Sequence, residues 1–169
     1  MKLKTLTRMG LLSALALIIF MVEAQIPVPV PVPGIKLGLA NIITIFAVWI
    51  LGSWQGAGIL AVRVFLGAIF SGNFGTIFYS AAGGALAILT AILLKKIVKR
   101  NQLWVAGCLG AVAHSIGQIA MAILLTGTSS LLLYLPLMIA CGIVTGLFTG
   151  LCAQLLVNRG EAFWKTTFR

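Results

Sequence analysis

The sequence predicts an all-α integral membrane protein, a bundle of six transmembrane helices with both termini cytoplasmic. Three observations predict it. The 169-residue chain is 61% hydrophobic and only 8% charged, with a mean hydropathy of +1.16. Soluble domains are only about 45–50% apolar. The apolar residues gather into runs close to the ~20 residues that a helix needs to cross a bilayer. The basic residues fall in clusters that share one side of the membrane if the chain crosses an even number of times between them. At this length the whole chain, residues 1–169, is one transmembrane domain.

The first helix is expected over about 5–24, behind Lys2, Lys4 and Arg8. Its basic start, apolar run and small-residue end "VEA" imitate a secretory signal peptide, but it is read here as the first membrane span. A proline run follows, "IPVPVPVPG". Proline fixes φ and biases the residue before it toward extended backbone, so this is a stiff connector. The second helix is expected over 36–52 and the third over 55–70, the latter short enough to be tilted or buried among the others. The remaining three are expected over 76–95, 103–126 and 131–157. "GSWQG", "SGNFG" and "TGTSS" mark tight turns. Lys95, Lys96, Lys99 and Arg100 separate the fourth and fifth segments, and Arg159, Lys165 and Arg169 follow the sixth. Trp49, Trp54, Trp104 and Trp164 fall near the same ends as the basic residues, as expected of side chains that favour the headgroup level. Gly142, Gly146 and Gly150 are spaced four apart on one face, and "AGCLGAVA" in the fifth segment is similarly small. Both predict close helix packing.

The net charge of +10 is explained by topology and attraction to anionic headgroups, and no nucleic-acid partner is expected. Cys108, Cys141 and Cys152 each lie inside an apolar run, with no metal-ligand spacing and no disulfide framework. One histidine and no aspartate leave no donor set for a metal. The phosphate-binding pattern GxxxxGK[ST] is absent, so uphill transport would draw on a partner or an ion gradient. No cofactor is implied, and the chain is not expected to be an enzyme.

Polar groups within hydrocarbon are costly and mark function by default. They are Glu23, Lys36, Asn41, Arg63, His114 and Gln118, with Asn73 in a loop beside them. Arg63 lies about eight residues from either end of its segment, too deep to reach the interface easily. The chain has two acids, Glu23 and Glu161, and Glu161 belongs to the basic tail. Arg63 therefore pairs with Glu23 or with an anionic ligand group. Lys36 competes for the same carboxylate, and the three charges sum to +1. His114 and Gln118 are four apart and share a helix face, with Gly110 and Gly117 leaving room nearby. The proline strap (Val28, Pro29, Val30, Pro31, Val32 and Pro33) would cross the bundle mouth as a lid. It would deliver Lys36 and Asn41 opposite Glu23.

The stretches "VEAQIPVPVPVPGIKLGLANIITIFAVWILG", "RVFLGAIFSG", "SAAGG" and "GAVAHSIGQ" resemble the small membrane family called Gx transporters, also labelled heptaprenyl diphosphate synthase component I. The resemblance covers nearly the whole chain, and "PGIKLGLAN" is its most specific block. That family in turn resembles the substrate-binding S components of energy-coupling factor (ECF) transporters. The resemblance implies a six-helix, S-component-like protein of the cell membrane. It would bind a micronutrient near the outer face and dock on a transmembrane T component driven by two ATPases. Docking would use a small-residue pair on the first helix, here Gly10 and Ala14 of "GLLSA" in place of the usual two alanines. The ligand would carry a negative group and an apolar or aromatic body. Glu23, Lys36, Asn41, Arg63, Asn73, His114 and Gln118 are the expected polar contacts.

The synthase label meets a chemical obstacle. Prenyl diphosphate synthases hold Mg²⁺-diphosphate on aspartate-rich motifs, because hard cations take carboxylate oxygens, and this chain has no aspartate. The alternative function is therefore a non-catalytic membrane subunit of heptaprenyl diphosphate or quinone synthesis. A third reading is a proton-driven carrier working through Glu23 and His114.

Overall fold

A computed structural model describes residues 3–27 and 35–167, the last seven by backbone alone. The proposed lid, Val28 to Pro33, lies outside the described residues. Six α-helices run in order: α1 (Leu3–Glu23), α2 (Asn41–Ile50), α3 (Ser53–Ser71), α4 (Gly75–Leu94), α5 (Leu103–Thr126) and α6 (Leu135–Thr167). Short 3-10 turns at Arg100–Gln102 and Ser129–Tyr134 lead into α5 and α6. Five of the six are long and apolar enough to cross a bilayer, and the protein is a multi-pass membrane protein. α1, α3, α4 and α5 lie within two residues of the expected runs at 5–24, 55–70, 76–95 and 103–126, whereas α6 begins four residues after the start of the expected 131–157, behind a 3-10 turn, and continues ten residues past its end. Gly72 and Gly127 stop α3 and α5 in the left-handed conformation, at φ +63° and +66°, the usual glycine exit from a helix.

The second segment departs from the expected helix over 36–52. Only Asn41–Ile50 is helical, 10 residues, or about 15 Å of rise. That is half of a ~30 Å hydrocarbon core. Residues 35–40 are non-helical, with Gly38 at φ +86°, and Ile35, Lys36 and Ala40 are buried. Apolar composition alone does not distinguish a buried extended run from a buried helix, and this is why the sequence reads as one continuous span.

α2 packs against all five long helices. Eight of its ten residues are buried, so it is the central strut of the bundle. Trp49 is one of them, inside the main apolar cluster with Phe46, Leu12 and Leu103. It is a core residue and not a headgroup anchor. Trp54 and Trp104 are exposed.

Several contacts gather the basic residues at one end. The Lys95 ammonium donates to the Val48 carbonyl at 2.6 Å, and a cation there complements the negative end of the α2 dipole. The start of α5 meets the end of α6 where the Leu103 amide donates to Gln154 Oε1 at 3.1 Å. Near the start of α1, the Met9 side chain reaches Gly58 in α3. A second apolar cluster, including Ile35, Tyr79, Ile119 and Met138, closes the opposite end.

α5 and α6 approach to backbone contact, as the glycine spacing predicts. A Cβ on Gly146 would fall 2.6 Å from the Gly107 carbonyl, and one on Gly150 would fall 2.6 Å from the Trp104 Cα. Without a solvent-driven hydrophobic effect between spans, such contact supplies the packing energy. Gly146→Val is expected to lower the midpoint of thermal unfolding in detergent, with an overpacking cost of about 1–3 kcal/mol. Gly10→Ala, whose Cβ would meet nothing within 4 Å, should leave the midpoint unchanged or slightly raised.

Candidate functional site

The buried non-helical run 35–40 poses the first problem. Each backbone N–H and C=O inside hydrocarbon needs a partner. The first amides of α2 reach the Gly38, Leu39 and Ala40 carbonyls, but they do not supply partners for the amides of Lys36, Gly38 and Ala40 or the carbonyls of Lys36 and Leu37. The side chains of three neighbouring helices do. Glu23, at the end of α1, accepts from the Gly38 amide through Oε1 and from the Ala40 amide through Oε2 at 3.4 Å. Gln118 of α5 faces the Lys36 backbone. In the amide orientation that satisfies both groups, its nitrogen donates to the Lys36 carbonyl at 2.7 Å and its oxygen accepts from the Lys36 amide at 3.2 Å. Thr145 of α6 donates to the Leu37 carbonyl at 3.5 Å. The non-helical run is therefore bracketed by side chains.

Gly38 is required here on two counts. Its φ of +86° lies where L side chains are strained. A Cβ on it would also fall 2.9 Å from Asn41 Nδ2 and 3.1 Å from His114 Cδ2. Gly83 of α4 crowds the other side of the same imidazole, since a Cβ there would lie 2.8 Å from His114 Nδ1. His114 thus occupies a slot between two glycines. Gly117, expected to leave room, instead admits the α4 backbone: a Cβ on it would meet the Ala82 carbonyl at 2.7 Å.

The charges follow from this arrangement. Glu23, Lys36 and Arg63 are all buried and close enough to act on one another. Yet both oxygens of Glu23 are engaged by backbone amides, and among the described residues neither cation hydrogen-bonds to the carboxylate. The Lys36 ammonium lies over the Phe20 ring, 3.2 Å from its centroid, a cation–π seat, and donates to the Phe20 carbonyl at 3.5 Å. Arg63, only 2% exposed, donates from Nη1 to Asn41 Oδ1 at 3.5 Å. Among the described residues its Nε has no partner, and neither do Asn41 Nδ2, Thr44 Oγ1 and His114 Nδ1. Buried polar groups in native proteins are nearly always paired, so four orphans in one neighbourhood mark it as unfinished.

The structure therefore brings together six of the seven expected polar contacts: Glu23, Lys36, Asn41, Arg63, His114 and Gln118. Asn73 stands apart. It is exposed in the α3–α4 turn, where its Oδ1 accepts from the Gly75 amide at 3.0 Å, a local turn bond. Gly10 and Ala14 are exposed one turn apart on the outward face of α1. Sequence reasoning missed Thr44 and Thr145. Neither is ionisable, and threonine in a membrane helix often bonds its own preceding turn, as Thr145 also does to Cys141 at 3.0 Å.

A family model described as heptaprenyl diphosphate synthase component I matches residues 12–156. The chain belongs to that family. The matched span includes the whole polar cluster and Ala14, while Gly10 precedes it. Comparison with curated proteins and with solved structures finds no significant match. This chain does not offer the carboxylates that a Mg²⁺-diphosphate needs. Glu23 is its one acid in the cluster and is occupied by backbone, and among the described residues no group of three or more His, Cys, Asp or Glu is placed to hold a metal.

The scaffold role of Gln118 is testable. Gln118→Leu strands the Lys36 amide and carbonyl, at about 1–3 kcal/mol for each buried group left unpaired. Backbone hydrogen exchange at residues 35–40 should accelerate selectively, with α5 protection retained. Exchange unchanged at those amides would show that Gln118 does not hold the run.

Proposed function

We propose that this protein is the substrate-binding S component of an ECF-type importer. In this reading both termini are cytoplasmic, and the polar cluster lies in the outer half of the bundle. It receives a small ligand with an anionic group and an apolar or aromatic body. The observation that carries the reading is the Arg63 guanidinium, buried in a spanning helix, with no carboxylate bond and with Nε unpaired. A buried arginine favours planar, bidentate anions. Lys36 adds a second positive charge, and Asn41 Nδ2 a further unused donor. Glu23 orients the run that carries Lys36 and Asn41, and the strap at 28–33 is the lid. A T component with ATPase subunits supplies the energy.

The test is native mass spectrometry of detergent-purified protein, wild type beside Arg63→Gln. A small molecule retained by wild type and lost from the variant is expected, and its mass identifies the ligand class. A molecule retained equally by both would overturn the assignment to Arg63. Docking is tested separately. Gly10→Leu should abolish ATP-dependent uptake with the T component while the ligand stays bound, because the two features lie on different parts of the molecule.

The family description favours a second reading, a non-catalytic membrane subunit of heptaprenyl diphosphate synthesis. That reading expects a soluble aspartate-rich synthase to co-purify with the protein, no uptake phenotype on deletion, and a prenyl diphosphate as the anion met by Arg63 and Lys36.

A further inference from the structure

Away from the polar cluster, a crevice of about 580 Å³ opens between α1, α2 and α6 near the basic end. Its size falls within the ~300–1,000 Å³ of ligand sites. Buried Phe46 helps form the floor, while exposed Leu11, Leu15, Leu155 and Leu156 form the walls. Among the described residues its lining is almost entirely apolar, and the one charged side chain there, Arg159, stands at its rim. The same face of α1 carries Arg8 one turn nearer the basic end, by helical periodicity.

We propose that this crevice is a binding site for an anionic phospholipid of the surrounding bilayer, with an acyl chain against the leucines and the phosphate at Arg159. Three features choose this occupant. Water has no polar partner on the walls, and a site for water needs two to four. A partner helix would need small residues so that backbones could approach, but the walls are leucine and the floor includes Phe46. These bulky, flexible side chains suit a chain rather than a backbone. Finally, the crevice ends in a guanidinium at the end of the bundle where the basic residues collect, and basic pockets between spans at that level recognise anionic headgroups. The small-residue pair Gly10 and Ala14 lies about 100° round α1 from Leu11 and Leu15, so a lipid in the crevice leaves that stripe uncovered.

The experiment uses the full chain, stripped of lipid in neutral detergent, with phosphatidylglycerol or phosphatidylcholine of equal chain length added back. Lipid retention is read by native mass spectrometry, with thermal unfolding in parallel. Wild type should retain phosphatidylglycerol about fivefold better, the effect of roughly one basic side chain beside an anionic surface. Arg159→Gln, an exposed change that leaves the core intact, should remove that preference without lowering the unfolding temperature in detergent alone. Leu155→Trp, which narrows the crevice from its exposed wall, should reduce retention of both lipids. Equal retention of the two lipids by wild type would overturn the proposal. So would a preference that survives Arg159→Gln, or a second copy of the chain in place of lipid whose association Leu155→Trp abolishes.

Discussion

The fold depends on how the non-helical run 35–40, with Ile35, Lys36, Gly38 and Ala40 buried, is kept from stranding its backbone in hydrocarbon. Unpaired backbone groups at that depth cost several kcal/mol each, and residues 35–40 lie beside the centre of the bundle. Glu23 and Gln118, with Thr145 behind them, pair with that backbone. Everything central follows. Because the run is held out of helical form, α2 begins only at Asn41 and stays ten residues long. Because α2 is short, its two ends fall at different chemical levels. The carboxylate of Glu23 sits just before its positive end, and the ammonium of Lys95 binds a carbonyl in its last turn. Both charges match the helix dipole, and the low dielectric around a central helix makes such matching matter more than at a surface.

The same constraint explains the unbalanced charge. A carboxylate beside a buried arginine ordinarily forms a bidentate pair. Here the carboxylate is spent on the Gly38 and Ala40 amides, so it compensates Arg63 and Lys36 only through space. Lys36 finds a substitute in the electron-rich face of Phe20. Arg63 has one long hydrogen bond to Asn41 and nothing at Nε. The neighbourhood carries an excess of donors and positive charge because its acid already serves the backbone.

The five long spans were legible because length, apolar content and glycine punctuation point to the same runs, though α6 continues past its apolar run into the basic tail, where hydropathy gives no helix signal. The glycines of α6 were legible for the same reason: a four-residue repeat of small residues has one common physical use in lipid. The short α2 was not legible. "IKLGLANIITIFAVWILG" is predominantly apolar in both its non-helical and its helical parts, and hydropathy does not register the backbone. The one available sign was Gly38 flanked by Lys36 and Asn41, polar residues that a lipid-facing span would not place around it. The cluster's membership was largely readable, since ionisable and amide side chains are rare in such a chain. The roles were not, because Glu23 and Gln118 bind backbone, and a backbone partner leaves no signature in residue type. Trp49 misled for a related reason: near the end of a short helix it sits by count at an interface, but that helix is buried on every side.

Lys36 shows how the scaffold and the charge are joined. Gln118 holds its backbone, while its ammonium rests on Phe20, a residue of α1 one turn before Glu23. Glu23 in turn holds the amide of Gly38, two residues further on. The non-helical run is thus tied to α1 and α5 at once, and its cation is carried by the segment that those ties position. Any displacement of residues 35–40 must break bonds to Glu23 or Gln118 and move a positive charge relative to Arg63 in the same step. Position of the run and electrostatics of the cluster are therefore one variable, set by two side chains whose first duty is to keep a backbone paired.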